Sequence, residues 1–183
     1  MLPPDQVQNI AGMQCNLGGA LHTKGDFDEA IIAFRESIRL NPRNPMVYGA
    51  LADSLWCNGD LDGAIATYRQ LIGMNPPNAA GFHFNLGIAL TANGDLDGAI
   101  IAYRDAVGIN PEHFGAYQNL GIALAGNGEF DAAVVATREA VRIRPQDADA
   151  RASLGNFLSE TGALDEATSS PSALQSDWTQ KTS

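Results

Sequence analysis

The fold is decided by residues 86–111, which read LGIALTANGDLDGAIIAYRDAVGINP. The stretch opens with a Leu-Gly pair, is interrupted at Gly94 and closes at Pro111. On both sides of the interruption, apolar residues recur at three- and four-residue steps, which is helical periodicity rather than the alternation of a strand. The stretch therefore predicts two helices joined by a tight turn.

The same pattern recurs along the chain, with spacings of 34, 35, 34 and 34 residues between equivalent leucines. Four series of residues carry it: Leu17, Leu51, Leu86, Leu120 and Leu154; Gly25, Gly59, Gly94, Gly128 and Gly162; Ala30, Ala64, Ala99, Ala133 and Ala167; Pro42, Pro76, Pro111 and Pro145. The one extra residue lies in the connection at residues 77–81, where it lengthens a loop. The chain thus contains five copies of one helical unit.

The interruption in each unit has the chemistry of a helix end followed by a helix start. A glycine such as Gly94 can adopt the left-handed conformation that ends the first helix, and the acidic residue after it can cap the second. In the first unit, Asp26 and Glu29 also have the spacing of a capping box. An Asn-Pro or Arg-Pro step closes each second helix, because proline disfavours helical backbone at the residue before it.

Small residues at fixed positions predict that the two helices of a unit approach closely. They are Gly18, Gly87, Gly121 and Gly155 on the first helices and Ala30, Ala64, Ala99 and Ala133 on the second. The aromatic residues Phe34, Tyr68 and Tyr103 are predicted to fill the space that remains, each contributing about 2 to 3 kcal/mol when buried. Thr137 stands in that position in the fourth unit, so we expect its packing to be looser.

This Leu-Gly, Gly, Ala, aromatic and Pro pattern resembles the tetratricopeptide-repeat (TPR) family, and the resemblance covers residues 11–167. The aromatic residue that the family has near the start of the first helix is present as Tyr48 and Tyr117. Gln14, His83 and Arg151 replace it in the other units. The resemblance implies an all-α fold, a right-handed superhelical solenoid of antiparallel helix pairs.

The predicted domain boundaries follow the repeat. An N-terminal extension occupies residues 1–10, and four full repeats occupy residues 11–44, 45–79, 80–113 and 114–147, the second with the one-residue insertion. A partial fifth repeat covers residues 148–167, because Ser169-Ser170-Pro171 stands where the family has an aromatic residue. Residues 168–183 are predicted to form either a helix that caps the array or a flexible tail.

Composition narrows the classes of function. The chain has 183 residues and a formal net charge of −10, from 21 acidic and 11 basic residues. This charge repels nucleic-acid backbones and anionic lipid surfaces, so neither is predicted as a partner. The sequence has no long apolar run and no start typical of a secretory signal, so the predicted compartment is the cytoplasm.

Candidate sites for metals and catalysis have little support in the sequence. The motif Asn58-x-Asp60-x-Asp62-Gly63 resembles the opening of a calcium loop, but Arg69 stands where the loop needs a bidentate glutamate. The three histidines lie in different units, without further ligands at metal-binding spacing. Cys15 and Cys57 are predicted to be small thiols that are buried or line the groove, with a disulfide as the alternative. With no catalytic motif present, we predict no enzyme activity, no metal and no cofactor.

A partner is expected on the concave groove of the solenoid, which the first helices line. The resemblance implies that the residue before each Leu-Gly position points into this groove, and Asn16, Asn85 and Asn119 stand there. An asparagine amide both donates and accepts, so such a series can pair with the main chain of an extended peptide. The alternative is that these amides bond to neighbouring helices.

The predicted partner-binding residues are Asn16, Asp53, Trp56, Phe84, Asn85, Ile88, Gln118, Asn119, Ile122 and Asn156. TPR proteins that grip a carboxy-terminal carboxylate have lysines and arginines at such positions, and none occurs here, so no carboxylate clamp is predicted. The apolar members suit an aliphatic or aromatic anchor on a peptide or amphipathic helix. The predicted function is therefore a protein–protein interaction scaffold.

Two alternatives to this function stay open at the level of sequence. The chain could be a self-assembling structural module, a homo-oligomer in which one molecule fills the groove of the next, and its mass would then depend on concentration. It could also be the non-catalytic targeting segment of a larger enzyme.

Overall fold

The computed structural model describes residues 3–162, and these residues form nine α-helices. The predicted capping helix or tail at residues 168–183, and the end of the partial fifth repeat, lie outside them. The helices are α1 (Pro4–Lys24), α2 (Phe27–Leu40), α3 (Pro45–Cys57), α4 (Leu61–Gly73), α5 (Ala79–Ala92), α6 (Leu96–Ile109), α7 (Phe114–Gly126), α8 (Phe130–Ile143) and α9 (Ala148–Glu160). None of the nine is long and apolar enough to cross a bilayer.

The chain divides into two compact units, unit 1 over Met1–Pro111 and unit 2 over Glu112–Ser183. In unit 1, α1 packs on α2, α3 on α4 and α5 on α6, and each pair also contacts the next through α2 with α3 and α4 with α5. In unit 2, α8 packs on both α7 and α9. Since two or three residues separate the helices of a pair, each pair is an antiparallel hairpin, as the sequence predicts.

The turns between paired helices have the predicted glycine conformation. All five turn glycines have positive φ, from 73° at Gly162 to 92° at Gly25, which is the left-handed region that glycine adopts without a steric penalty. Asp60 and Asp95 then cap α4 and α6, each accepting a hydrogen bond at 2.9 Å from a backbone N–H three residues later. Helix ends therefore follow directly from local sequence.

The capping box predicted at Asp26 and Glu29 is wrong. Asp26 occupies the N-cap position of α2, but its side chain makes no capping hydrogen bond. Its carboxylate instead accepts from the Lys24 ammonium group. A charged donor two residues away thus outcompetes the backbone N–H groups of the first turn.

The second helices end close to the predicted prolines. Helices α2, α6 and α8 each end two residues before a proline, whereas α4 ends at Gly73, three residues before Pro76. Asn75, just before that proline, has a φ of 53°. Of residues 77–81, where the extra residue is expected, residues 79–81 already belong to the first turn of α5.

The close approach of paired helices is confirmed where the glycines meet aromatic rings. A Cβ atom on Gly18 would lie 2.7 Å from the ring of Phe34, and one on Gly87 would lie 2.5 Å from the ring of Tyr103. Both rings are 1% exposed, and that of Tyr68 is 3% exposed. The rings of Phe34 and Tyr103 therefore occupy the space that a side chain on the facing helix would need, whereas Tyr68 is buried in the pair that has Ala52 at the equivalent position.

We predict that Gly87→Ala lowers the free energy of unfolding by about 1 to 3 kcal/mol, because the new methyl group overlaps the Tyr103 ring. Gly12→Ala is the matched control, since Gly12 lies inside α1 and a Cβ there would meet nothing within 4 Å. The control should be neutral or stabilising by up to about 1 kcal/mol through helix propensity. Thermal unfolding followed by circular dichroism measures both, and equal effects of the two variants would contradict the packing account.

Thr137 replaces the aromatic residue in unit 2 and lies against Gly121, where a Cβ would overlap its hydroxyl oxygen. Thr137 is 1% exposed, and its Oγ1 atom has no hydrogen-bond partner among the described residues. A buried hydroxyl without a partner destabilises the folded state, because water would otherwise solvate it. The α7–α8 pair therefore contains an unpaired buried hydroxyl at the position where the helix pairs of unit 1 have an aromatic ring.

We predict that Thr137→Val raises the free energy of unfolding by about 1 kcal/mol, since valine has the same shape and removes the unpaired hydroxyl. Thr67→Val is the control, because the Thr67 hydroxyl donates to the Gly63 carbonyl at 2.7 Å. That substitution should be neutral or destabilising. Urea unfolding of the two variants checks the sign, and destabilisation by Thr137→Val would overturn this account.

Candidate functional site

In unit 1, the first helices α1, α3 and α5 expose one side each. On α3, Met46, Ala50, Asp53 and Cys57 recur at three- and four-residue steps and none is buried. On α5, the same spacing leaves Phe84, Asn85 and Ile88 half-buried. We name the surface formed by Asn16, Asp53, Trp56, Phe84, Asn85 and Ile88 the A face.

The structure places the predicted partner-binding residues in two sets. In unit 1, Asn16 and Asp53 are exposed, and Trp56, Phe84, Asn85 and Ile88 are half-buried. In unit 2, Gln118 and Asn119 are half-buried on α7, Ile122 on the same helix is 50% exposed, and Asn156 on α9 is exposed. All ten are thus at least partly accessible.

A buried tyrosine supplies the polar centre of the A face. The Tyr68 ring lies in the core of unit 1, and its hydroxyl donates a hydrogen bond to Oδ1 of Asp53 on α3. Burial of the ring and the bond to Asp53 both raise the pKa of Tyr68 above its usual value, because each disfavours the phenolate. The amide of Asn85 on α5 favours the phenolate form and so acts on the pKa of Tyr68 in the opposite direction, with a smaller effect.

The predicted asparagines of unit 1 differ in their surroundings. Asn85 is half-buried on α5 and lies close enough to the Tyr68 hydroxyl to influence its pKa. The first pair has Phe34 in place of Tyr68, and Ala50 stands at the position of Asn85. Asn16 is exposed on α1.

The rest of the A face is apolar and supported from beneath. The Phe84 ring lies 6.1 Å from the Tyr103 ring, centroid to centroid, at an angle of 48°. Trp56 and Ile88 are half-buried on the neighbouring helices α3 and α5. Apolar side chains held in this state can bury more surface when a partner packs on them.

His22 holds α1 against α3 at the edge of this surface. Its Nδ1 atom lies 2.8 Å from the hydroxyl of Ser54, and that hydroxyl donates to the carbonyl of Ala50 at 2.8 Å. The histidine Nδ1 therefore acts as the donor, and its ring also packs edge-on against Phe27 at 5.4 Å. These contacts give His22 a structural role.

A cleft on another side of unit 1 was not predicted from the sequence. It has a volume of about 240 Å³, and its walls include His83 from α5 and Arg69, Ile101 and Asp105 from α4 and α6. His83 Nδ1 lies 3.4 Å from a carboxylate oxygen of Asp105. The substitution of His83 for the usual aromatic residue was the one signal in the sequence that could have indicated this space.

In the calcium-like motif, Asp62 accepts a hydrogen bond from the Asn93 amide, and Asp60 serves as a helix cap, as Asp95 does in the next repeat. His113 caps α7 in the same way, since its Nδ1 accepts from the Ala116 N–H at 3.1 Å. Among residues 3–162, no three His, Cys, Asp or Glu side chains are grouped closely enough to hold a metal ion. Cys15 is half-buried and Cys57 is exposed, and both are free thiols.

Comparison with known proteins gives a consistent result. Two tetratricopeptide-repeat models match, one over residues 50–114 and 119–169 and the other over residues 11–44. A search of curated protein sequences finds no match. Among solved structures, a MamA protein is 27% identical, with 86% of each chain covered and a TM-score of 0.80.

More distant structures share the fold. MamA from Desulfovibrio magneticus RS-1 is 19% identical over 94% of this chain and 97% of that one, with a TM-score of 0.77. YrrB, described as a TPR protein with an unusual peptide-binding site, is 17% identical over 85% of this chain and 79% of that one, with a TM-score of 0.73. The predicted fold class, an all-α TPR array, is confirmed.

We predict that Tyr68→Phe lowers the free energy of unfolding by about 1 kcal/mol at neutral pH, because the hydrogen bond to Asp53 is lost. The pKa of Tyr68 is raised in the folded protein, so the unfolded chain loses this proton first, near pH 10. The difference in free energy of unfolding between the wild type and the variant is therefore fully present below about pH 10 and decreases as the pH rises further. Urea unfolding at neutral and at alkaline pH measures the difference, and a constant difference would contradict this account.

Proposed function

Because the chain belongs to the tetratricopeptide-repeat family, we propose that it is a protein-interaction scaffold that binds a segment of a partner protein on the A face. The observation that carries this proposal is the combination of a positioned polar group with accessible apolar side chains. Asp53 on α3 is held by the hydroxyl of the buried Tyr68, and Trp56, Phe84, Asn85 and Ile88 lie half-buried on the helices α3 and α5. Interfaces of high affinity commonly join such anchors to a few oriented polar groups.

The proposed partner is a peptide or helix of another protein, bound without a carboxylate clamp. In unit 2, Gln118, Asn119, Ile122 and Asn156 are proposed to contribute a second contact surface of the same kind. The scaffold is proposed to be non-catalytic, to need no cofactor and to act in the cytoplasm. Neither nucleic acid nor a membrane is a proposed partner. Self-assembly and a role as the targeting segment of a larger enzyme remain alternatives that no observation favours.

A peptide-display selection on the intact chain tests the proposal. We expect enrichment of a motif that is lost with the variant Trp56→Ala/Phe84→Ala, because each substitution removes a large apolar contact surface. The matched control is Ile101→Ala, which shortens an apolar side chain that is 60% exposed on α6, outside the A face. Circular dichroism must show that both variants remain helical.

Each result of the selection has a distinct meaning. Binding that survives in the control and fails in the double variant supports the A face. Binding that fails only in the Ile101→Ala variant would indicate that the peptide binds in the cleft that Ile101 borders, and not on the A face. If no peptide is enriched and the mass of the chain rises with concentration, self-assembly replaces the proposed function.

A further inference from the structure

We propose that the partner segment carries a lysine or arginine that pairs with Asp53, beside aliphatic or aromatic residues that pack on Trp56, Phe84 and Ile88. This inference rests on the proposed function, since it names the chemistry of the ligand for the same surface. Charge is the property on which it depends.

Asp53 is the only Asp, Glu, Lys or Arg side chain on the helices α3 and α5. Helix α3 has 13 residues and α5 has 14. The chain as a whole has 32 such residues, from 21 acidic and 11 basic. Exposed positions on a soluble helix are usually charged. On these two helices, the Asp53 carboxylate is therefore the group that distinguishes ligands by their charge.

The carboxylate is also oriented. Its Oδ1 atom accepts from the hydroxyl of Tyr68, so the side chain is tied to the core through a buried ring. Asp53 remains exposed, and its second oxygen can accept from a ligand. An oriented carboxylate loses less conformational entropy on binding than a mobile one, which favours a charge-assisted hydrogen bond with an ammonium or guanidinium group.

Asp53 forms no ion pair with a Lys, Arg or His side chain anywhere in residues 3–162. Acidic side chains elsewhere in the chain do have such partners, such as Glu36 with Arg39 and Glu112 with Arg142. The net charge of −10 adds a long-range attraction for basic segments. The charge that complements this surface is therefore positive and comes from the ligand.

The test repeats the peptide-display selection on three proteins: wild type, Asp53→Asn and Asp131→Asn. Asparagine keeps an oxygen that can accept from Tyr68 but carries no charge. Asp131, exposed on α8, is the matched control, because its substitution changes the net charge by the same amount. We expect wild-type peptides to share one basic position and to bind Asp53→Asn roughly 10-fold more weakly, and Asp131→Asn with unchanged affinity.

A second arm replaces the basic residue of the enriched peptide by methionine and completes a double-mutant cycle. This replacement should weaken binding to the wild type and leave binding to Asp53→Asn nearly unchanged, because the charge pair is already broken. Added salt should weaken binding to the wild type more than binding to Asp53→Asn.

The outcomes separate the two proposals. Peptides that need Trp56 and Phe84 but have no basic position, or that bind Asp53→Asn as well as the wild type, would overturn the inference and leave the proposed function in place. The absence of any peptide that depends on Trp56 and Phe84 would overturn both.

Discussion

The structure depends on the close contact between a glycine on one helix of a pair and an aromatic ring on the other. At Gly18 and Gly87 no Cβ is present, and the rings of Phe34 and Tyr103 fill the space so closely that even a methyl group would overlap them. This contact sets the separation within a pair, and the left-handed glycines at the turns set where each helix starts and ends. Together they fix the rotation of the first helices, and hence which of their residues remain accessible on the A face.

Tyr68 connects this packing to the surface. Its ring belongs to the core of unit 1, while its hydroxyl donates a hydrogen bond to Asp53 on α3. The position of the Asp53 carboxylate is thus determined by a residue whose own ring is almost entirely buried. In unit 2 the equivalent residue is Thr137, which is too short to fill the space of a ring.

Most of the fold could be predicted from the sequence, because the signals that define it are local and repeat. A glycine at a helix end and a proline after a helix act within a few residues of themselves. The contacts of the candidate site could not be predicted in this way, since they join residues on different helices at hydrogen-bond distances. The bond between Tyr68 and Asp53, the loss of the Asp26 cap to Lys24 and the cleft beside His83 each depend on where neighbouring side chains end. The periodicity of the sequence predicts the face of the helix on which a residue lies, but not the side chain on another helix that it contacts.

Phe34 and Tyr68 occupy equivalent places and are both buried, yet only one reaches the surface with a polar atom. A single oxygen therefore distinguishes a repeat that serves only as support from one that also presents a fixed functional group. The ring that sets the spacing of the helices is the same in both cases. A duplicated unit can thus gain or lose an oriented surface carboxylate by a change as small as phenylalanine to tyrosine, while the architecture that carries it stays intact. Under the proposed function, this is a physical basis for the divergence of binding specificity among copies of one repeat.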